Sequence, residues 1–127
     1  MLDPVTAFRA LAADAPHHRL AARLGVDLDA LWRVHDARNS DLAGALADGH
    51  SDAGVLELAF ETGAGIAARL EDELEGHAFR VVSEEPCEVT ARAASPFAYL
   101  THGTTLADLL ARDCGAELVY WRLLKRG

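Results

Sequence analysis

Hydrophobic positions recur at helical spacing through most of the first 76 residues of this chain and at a spacing of two over Phe79–Ala93. The longest helical run covers Ser51–Gly76, where Val55, Ala59, Thr62, Ile66 and Leu70 fall on one side and Glu57, Glu61, Asp72 and Glu75 on another. This pattern predicts a central amphipathic helix with one face in the core and one in water. Ala59, Gly63 and Ala67 are four apart and would let a neighbour approach the helix backbone closely. Gly63 and Gly65 would each cost about 1 kcal/mol of helix stability relative to Ala, which packing must offset.

Ahead of this run, Asp3-Pro4 reads as an N-cap with proline at the first helical position, followed by the stripe Val5, Phe8, Leu11 and Ala12. Pro16 ends or restarts that helix. A second one, His17–Leu24, stops at Gly25. Asp27 or Asp29 opens a third helix that runs to about Asp48, with the inward row Leu28, Trp32, His35, Asn39, Leu42 and Leu46. Two polar side chains interrupt that apolar row. Left without partners in a core, each would cost about 1–3 kcal/mol, so they form either a satisfied core pair or the lining of a cavity.

Beyond Gly76 the period changes. Phe79, Val81 and Ser83 alternate with Arg80, Val82 and Glu84; Glu85-Pro86 makes a turn; and Cys87, Val89, Ala91 and Ala93 alternate with Glu88, Thr90 and Arg92. This is a β-hairpin with one packed face. Ser95-Pro96 suggests a short helix ending near Gly103, with residues 97–100 extended as the alternative. Thr105 with Asp108 resembles a capping box that starts a helix over Leu106–Asp113, closed by Gly115. The last segment, Glu117–Leu124, is apolar on both faces and reads as a central strand. The prediction is one α+β domain over residues 1–127, with N-terminal helices packed on a small antiparallel sheet of about three strands.

The chain has 127 residues, half of them hydrophobic and 25% charged, so a packed core is expected and disorder is not. Its net charge of −8 is uneven. Between Asp41 and Glu88 only Arg69 and Arg80 oppose twelve acidic residues. That acidity reads as a solvated helix face or as a docking surface for a basic partner, and it disfavours nucleic acid. Cys87 and Cys114 lack metal-knuckle or disulfide-framework spacing and are expected to be small, reduced core residues. No apolar run reaches the roughly 20 residues of a membrane span, and MLDPVTAF has an acid where a signal peptide is basic. These features point to a cytoplasmic protein without a cofactor or a metal site.

Several residues carry candidate chemistry. Leu20–Val34 has helix-turn-helix spacing around Gly25, although Asp27, Asp29 and Asp36 would repel phosphates. His102-Gly103-Thr104-Thr105 would sit just ahead of a helix N-terminus, either as ordinary capping residues or as a site where an anion is favoured. His35, His102 and Glu61 are the candidates for an acid–base pair. Phe60, Phe97, Tyr99, Tyr120 and Trp121 would gather between the central helix and the sheet, either as core or around an apolar pocket.

Ala59–Leu74, AFETGAGIAARLEDEL, resembles the signature helix of the vinyl-reductase-type domains and the related Golgi transport-particle subunits, in which small residues four apart precede an Arg-Leu pair. The hairpin, then Ser95–Ala98, then HGTTLADLL leading through Gly115 to ELVYWRLL, is similar in order to the remainder of that domain, so the likeness spans residues 55–124. The family's terminal cysteines are missing here, so its zinc site is not carried over, and the first family glycine is Ala59. The resemblance implies a small-molecule sensor or protein scaffold, often dimeric, with an apolar pocket between helices and sheet.

The leading expectation is therefore a non-enzymatic domain, homodimeric, that binds a small apolar or aromatic ligand or a partner protein, with Phe60, Phe97, Tyr99, His102 and Trp121 as pocket residues. A small enzyme built on a histidine–carboxylate pair and a helix-turn-helix regulator are the alternatives.

Overall fold

The computed structural model describes residues 15–47, 55–63, 65–85, 87–94 and 100–124. In chain order these form helix α1 (Pro16–Leu24), helix α2 (Leu28–Ala47), strand β1 (Val55–Glu61), helix α3 (Ala67–Glu75), strand β2 (Arg80–Glu85), strand β3 (Glu88–Ala94), helix α4 (Leu100–Cys114) and strand β4 (Glu117–Leu124). The α+β class is as expected, with four strands in the sheet where about three were predicted. The helix expected over Asp3–Ala12 lies outside the described residues.

The start of α1 and the turn after it follow the sequence signals. Pro16 occupies the first turn of α1, and Gly25 takes the left-handed conformation at its end, with φ 68°. Asp27 then caps α2, its Oδ1 accepting the Ala30 N–H at 3.2 Å. The two helices form the expected corner, although Val34 of the helix-turn-helix pattern is 65% exposed.

The single helix predicted over Ser51–Gly76 is not formed. Val55–Glu61 is instead the strand β1, Gly65 turns the chain at φ 80°, and only Ala67–Glu75 is helical. The segment VLELAFE satisfies two periods at once. Taken at a spacing of two, Leu56, Leu58 and Phe60 form a wholly buried row, and burying these three outweighs the helical stripe, which leaves Leu56 and Leu58 off its apolar side. The helical half keeps its amphipathic pattern, with Ala67, Leu70 and Leu74 buried.

Two further expectations are corrected near the C-terminus. Thr105 starts no helix: it lies inside α4, which runs unbroken from Leu100 and closes at Gly115, with φ 82°. Nor is β4 a central strand. The sheet order is β2-β3-β1-β4, so β4 is an edge and β1, buried on both sides, lies inside. The apolar residues on both faces of β4 arise from a bulge. Tyr120 pairs with Ala59 and Leu118 with Phe60, which leaves Val119 unpaired and 44% exposed. The opposite edge carries a second bulge, where Val82 stands between the paired Val81 and Ser83 and is 38% exposed. Cys87 also departs from expectation: it sits exposed at the hairpin turn, while Cys114 is buried.

All strand pairs are antiparallel, and the order β-α-β-β-α-β with β1 and β3 inside is the split βαβ, or ferredoxin-like, arrangement. α3 and α4 cover one face of the sheet, and α1 and α2 form a further layer on α4. Sandwiched in this way, α4 is buried nearly all round, contributing Ala107, Leu109, Leu110 and Ala111 to the core. Among the described residues no helix covers the other face of the sheet.

Because Phe60 projects from the central strand into that core, Phe60→Ala should lower unfolding free energy by about 3–5 kcal/mol in denaturant titration. Gly65→Ala should cost about 1 kcal/mol through its positive φ alone. Under a continuous helix over residues 51–76 the glycine change would instead stabilise.

Candidate functional site

Two places in the fold concentrate polar side chains. The first is the seam where α2 and α4 meet β4. His35 is 1% exposed, and both of its ring nitrogens are engaged: Nε2 lies 2.7 Å from Asp108 Oδ2 and Nδ1 lies 2.9 Å from Thr104 Oγ1. Asn39, one turn further along α2, donates to Thr104 Oγ1 at 3.1 Å and to Thr101 Oγ1 at 3.0 Å. Its own Oδ1 accepts the Trp121 indole N–H at 2.7 Å. The Trp121 ring stacks on His35 at 4.7 Å between centroids, and the Arg38 guanidinium lies 4.1 Å from the indole centroid. Arg112 anchors the far side of Asp108, with Nε 2.8 Å from Oδ1. Burial opposes ionisation of Asp108, yet hydrogen bonds from His35 and Arg112 outweigh it and hold the carboxyl below its ordinary range.

The positions on α4 explain why the sequence builds this. Thr101, Thr104, Thr105 and Asp108 are spaced by three and four and share one stripe of the helix, which meets the His35–Asn39 stripe of α2. The polar interruption in the third helix's inward row is therefore a satisfied core pair.

Thr104, His35 and Asp108 line up as a hydroxyl, an imidazole and a carboxylate, the order of a nucleophile–base–acid chain. Thr104 is fully buried, however. Its oxygen already accepts from Asn39, and the indole stacks on the imidazole, so no reacting group can approach. The network holds two helices and an edge strand in register rather than presenting a nucleophile. Of the histidine–carboxylate pairs considered, His35 does find a carboxylate, but it is Asp108. Glu61 sits exposed at the end of β1, on the other face of the sheet.

His102 lies at a second junction, between α1, α2 and α4. Its ring meets Trp32 edge-on at 4.8 Å, and its carbonyl oxygen accepts the His17 Nε2–H at 2.9 Å. Burial pushes both imidazoles below their ordinary pKa; for His17 the bond to the carbonyl partly offsets this. Thr104 and Thr105 lie in the second turn of α4, where backbone N–H groups belong to the helix ladder. The helix N-terminus that both the capping and the anion readings placed at residues 102–105 is therefore not there, since α4 already begins at Leu100. Phe60 and Trp121 are packed into the core, Tyr120 faces the opposite side of the sheet at 43% exposure, and Phe97 and Tyr99 lie outside the described residues. Among the described residues no three His, Cys, Asp or Glu side chains converge as a metal site requires.

Searches against protein families, curated proteins and solved structures return no match.

The second concentration is the uncovered sheet face. One row across all four strands reads Arg80, Arg92, Glu57, Arg122, by the pairings Arg80↔Arg92, Glu57↔Arg92 and Glu57↔Arg122. Glu57 is 7% exposed and receives Arg92 Nε at 3.0 Å and Arg122 Nε at 2.9 Å. Burial opposes its ionisation, but the two guanidiniums prevail and hold its carboxyl low. Four residues further along β1, a second row reads Glu85, Glu88, Glu61, Glu117, all exposed. Between the two runs Ser83, Thr90, Ala59, Tyr120.

At about 3.3 Å per residue the charged rows are roughly 13 Å apart. The two bulges make the pattern: if Val82 and Val119 took part in regular alternation, Glu85 and Glu117 would turn away from this face. Beside the arginine row, Val55, Ala78, Arg80, Val82, Arg92 and Ala93 line an open recess of about 340 Å³. Sequence reading missed this face because the acidic residues of β1 were assigned to a helix, and no local signal marks which residues pair across strands.

His17, His102, Glu57 and Asp108 all have folded-state pKa values below their ordinary ones, so the unfolded chain binds more protons and stability rises with pH. The histidine contribution is present above about pH 6.5 and is lost as pH falls below it; the carboxylate contribution is lost as pH falls below about 4. Urea titrations between pH 8 and 3 should show both declines, and His17→Gln should flatten the first. Asn39→Ala should cost about 1–3 kcal/mol at neutral pH, since it orphans the Trp121 N–H.

Proposed function

We propose that this chain is a non-enzymatic protein-interaction domain whose uncovered sheet face is the binding surface. The observation that carries this reading is the buried Glu57 carboxylate holding Arg92 and Arg122 flat across a face where charged side chains of both signs stand in separate rows. A buried charge is costly unless paired. Here it fixes the orientation of guanidiniums that remain about half exposed, at 48% and 55%.

Such a surface gives register and specificity to a protein partner with the opposite charge pattern. It offers little to nucleic acid, whose phosphates would be attracted by one row and repelled by the other. The proton-transfer reading loses its basis in His35, which is buried together with its hydroxyl partner Thr104. Ferredoxin-like sheets serve many unrelated functions, so the fold itself decides nothing here.

The full chain, immobilised by its terminus and exposed to extract of its own host, should retain its partner far better than the face variant Arg80→Glu/Tyr120→Asp, by about tenfold or more. Arg33→Glu, on the exposed side of α2, should retain it like the parent. Equal retention by all three proteins would remove the reading.

A further inference from the structure

The two charged rows have a symmetry property that selects one occupant for the face. Two sheets packed face to face and related by a two-fold axis between them admit two simple alignments. With the axis along the strands, strand order reverses and each row lies over its own copy: all four glutamates meet glutamates and Arg80 meets the partner's Arg122, while Arg92 falls over the partner's already paired Glu57. With the axis across the strands, along the Ser83–Thr90–Ala59–Tyr120 row, strand direction reverses and each arginine row lies over the other copy's glutamate row.

We propose that a second copy of this chain covers the open sheet face in this second alignment. Strand order is preserved across the axis, so Arg80 meets the partner's Glu85, Arg92 meets the partner's Glu88 and Arg122 meets the partner's Glu117. Glu57, opposite the partner's Glu61, is already neutralised by its two arginines within its own sheet. Every exposed arginine of the row thus finds an acid. The contact is isologous, so it closes at two copies and does not propagate. Small side chains lie on the axis at Ala59, Thr90 and Ser83, which allows the roughly 10 Å separation of packed sheets. Tyr120 meets its own copy at the β4 edge.

This inference rests on the reading of the sheet face as a protein-binding surface and names the partner. Four strands about 4.8 Å apart and about seven residues long give a face of roughly 19 by 23 Å. That is on the order of half the ~800 Å² per partner of a standard interface. The dimer is therefore expected to be weak and concentration-dependent, and each copy's net charge of −8 opposes it.

Sedimentation equilibrium over a wide concentration range tests the arrangement with two single reversals, Arg80→Glu and Glu85→Arg. Both positions are exposed and neither touches Glu57, and far-ultraviolet circular dichroism verifies that each variant is folded. The parent chain should dimerise, and each variant alone should associate about tenfold or more weakly, because the reversal creates two like-charge contacts per dimer. An equimolar mixture of the two variants should recover the parental association, since the reversed residues then face each other and the remaining pair is native.

Variants that dimerise like the parent, or a mixture that stays as weak as its components, would overturn the proposal. So would a parent that is monomeric throughout. If the parent is monomeric while the Arg80→Glu/Tyr120→Asp variant still loses a different captured protein, self-association falls and the interaction reading stands; loss of neither removes both.

Discussion

The structure depends on β1 being buried on both sides. An inner strand has no free edge, and every residue from Leu56 to Phe60 is buried, so each must be satisfied by a neighbour. Leu56, Leu58 and Phe60 meet α3 and α4 on one side. On the other, Glu57 puts a carboxylate where water is nearly excluded, and that carboxylate is tolerated because β3 and β4 each deliver an arginine to it from the residue directly opposite. The hydrophobic row sets the helices on one face. The Glu57 triplet ties the neighbouring strands across the other.

Between the helical layers a different solution operates. α4 is enclosed by the sheet on one side and by α1 and α2 on the other, so its stripe of threonines and Asp108 cannot reach solvent freely. The stripe is matched by His35 and Asn39 of α2 and by the Trp121 indole of β4, each closing a hydrogen bond that would otherwise be missing. Hydrogen bonds linked in this way fix one packing register, because sliding either helix by a turn would strand several polar groups at once. Thr104, which would stand in the nucleophile's place, is fully buried within this network, and the Trp121 indole covers the face of the His35 ring.

The proposed binding surface is built from the leftover face. Edge-strand bulges at Val82 and Val119 shift the parity of β2 and β4 by one residue, and this aligns four glutamates in one row and three arginines in another. The segregation of charge is thus a product of strand pairing. Along the chain the same residues look like an acidic middle and a slightly basic end.

What the chain determined locally was the placement of its turns and its strongest periods. Gly25 and Gly115 end helices because left-handed backbone is easiest for glycine, Asp27 caps α2, and the Phe79–Ala93 alternation makes a hairpin, all from interactions within a few residues. The inward row Trp32, His35, Asn39 was legible for the same reason, being a property of one helix. Residues 55–61 were not, because their pattern fits a helix and a strand alike, and only partners supplied from residues 88–94 and 117–124 decide between them. The edge position of β4, the identity of Asp108 as the partner of His35 and the two charged rows belong to the same class. Each is a relation between residues distant in sequence, so it exists only once the sheet has paired and the helices have docked.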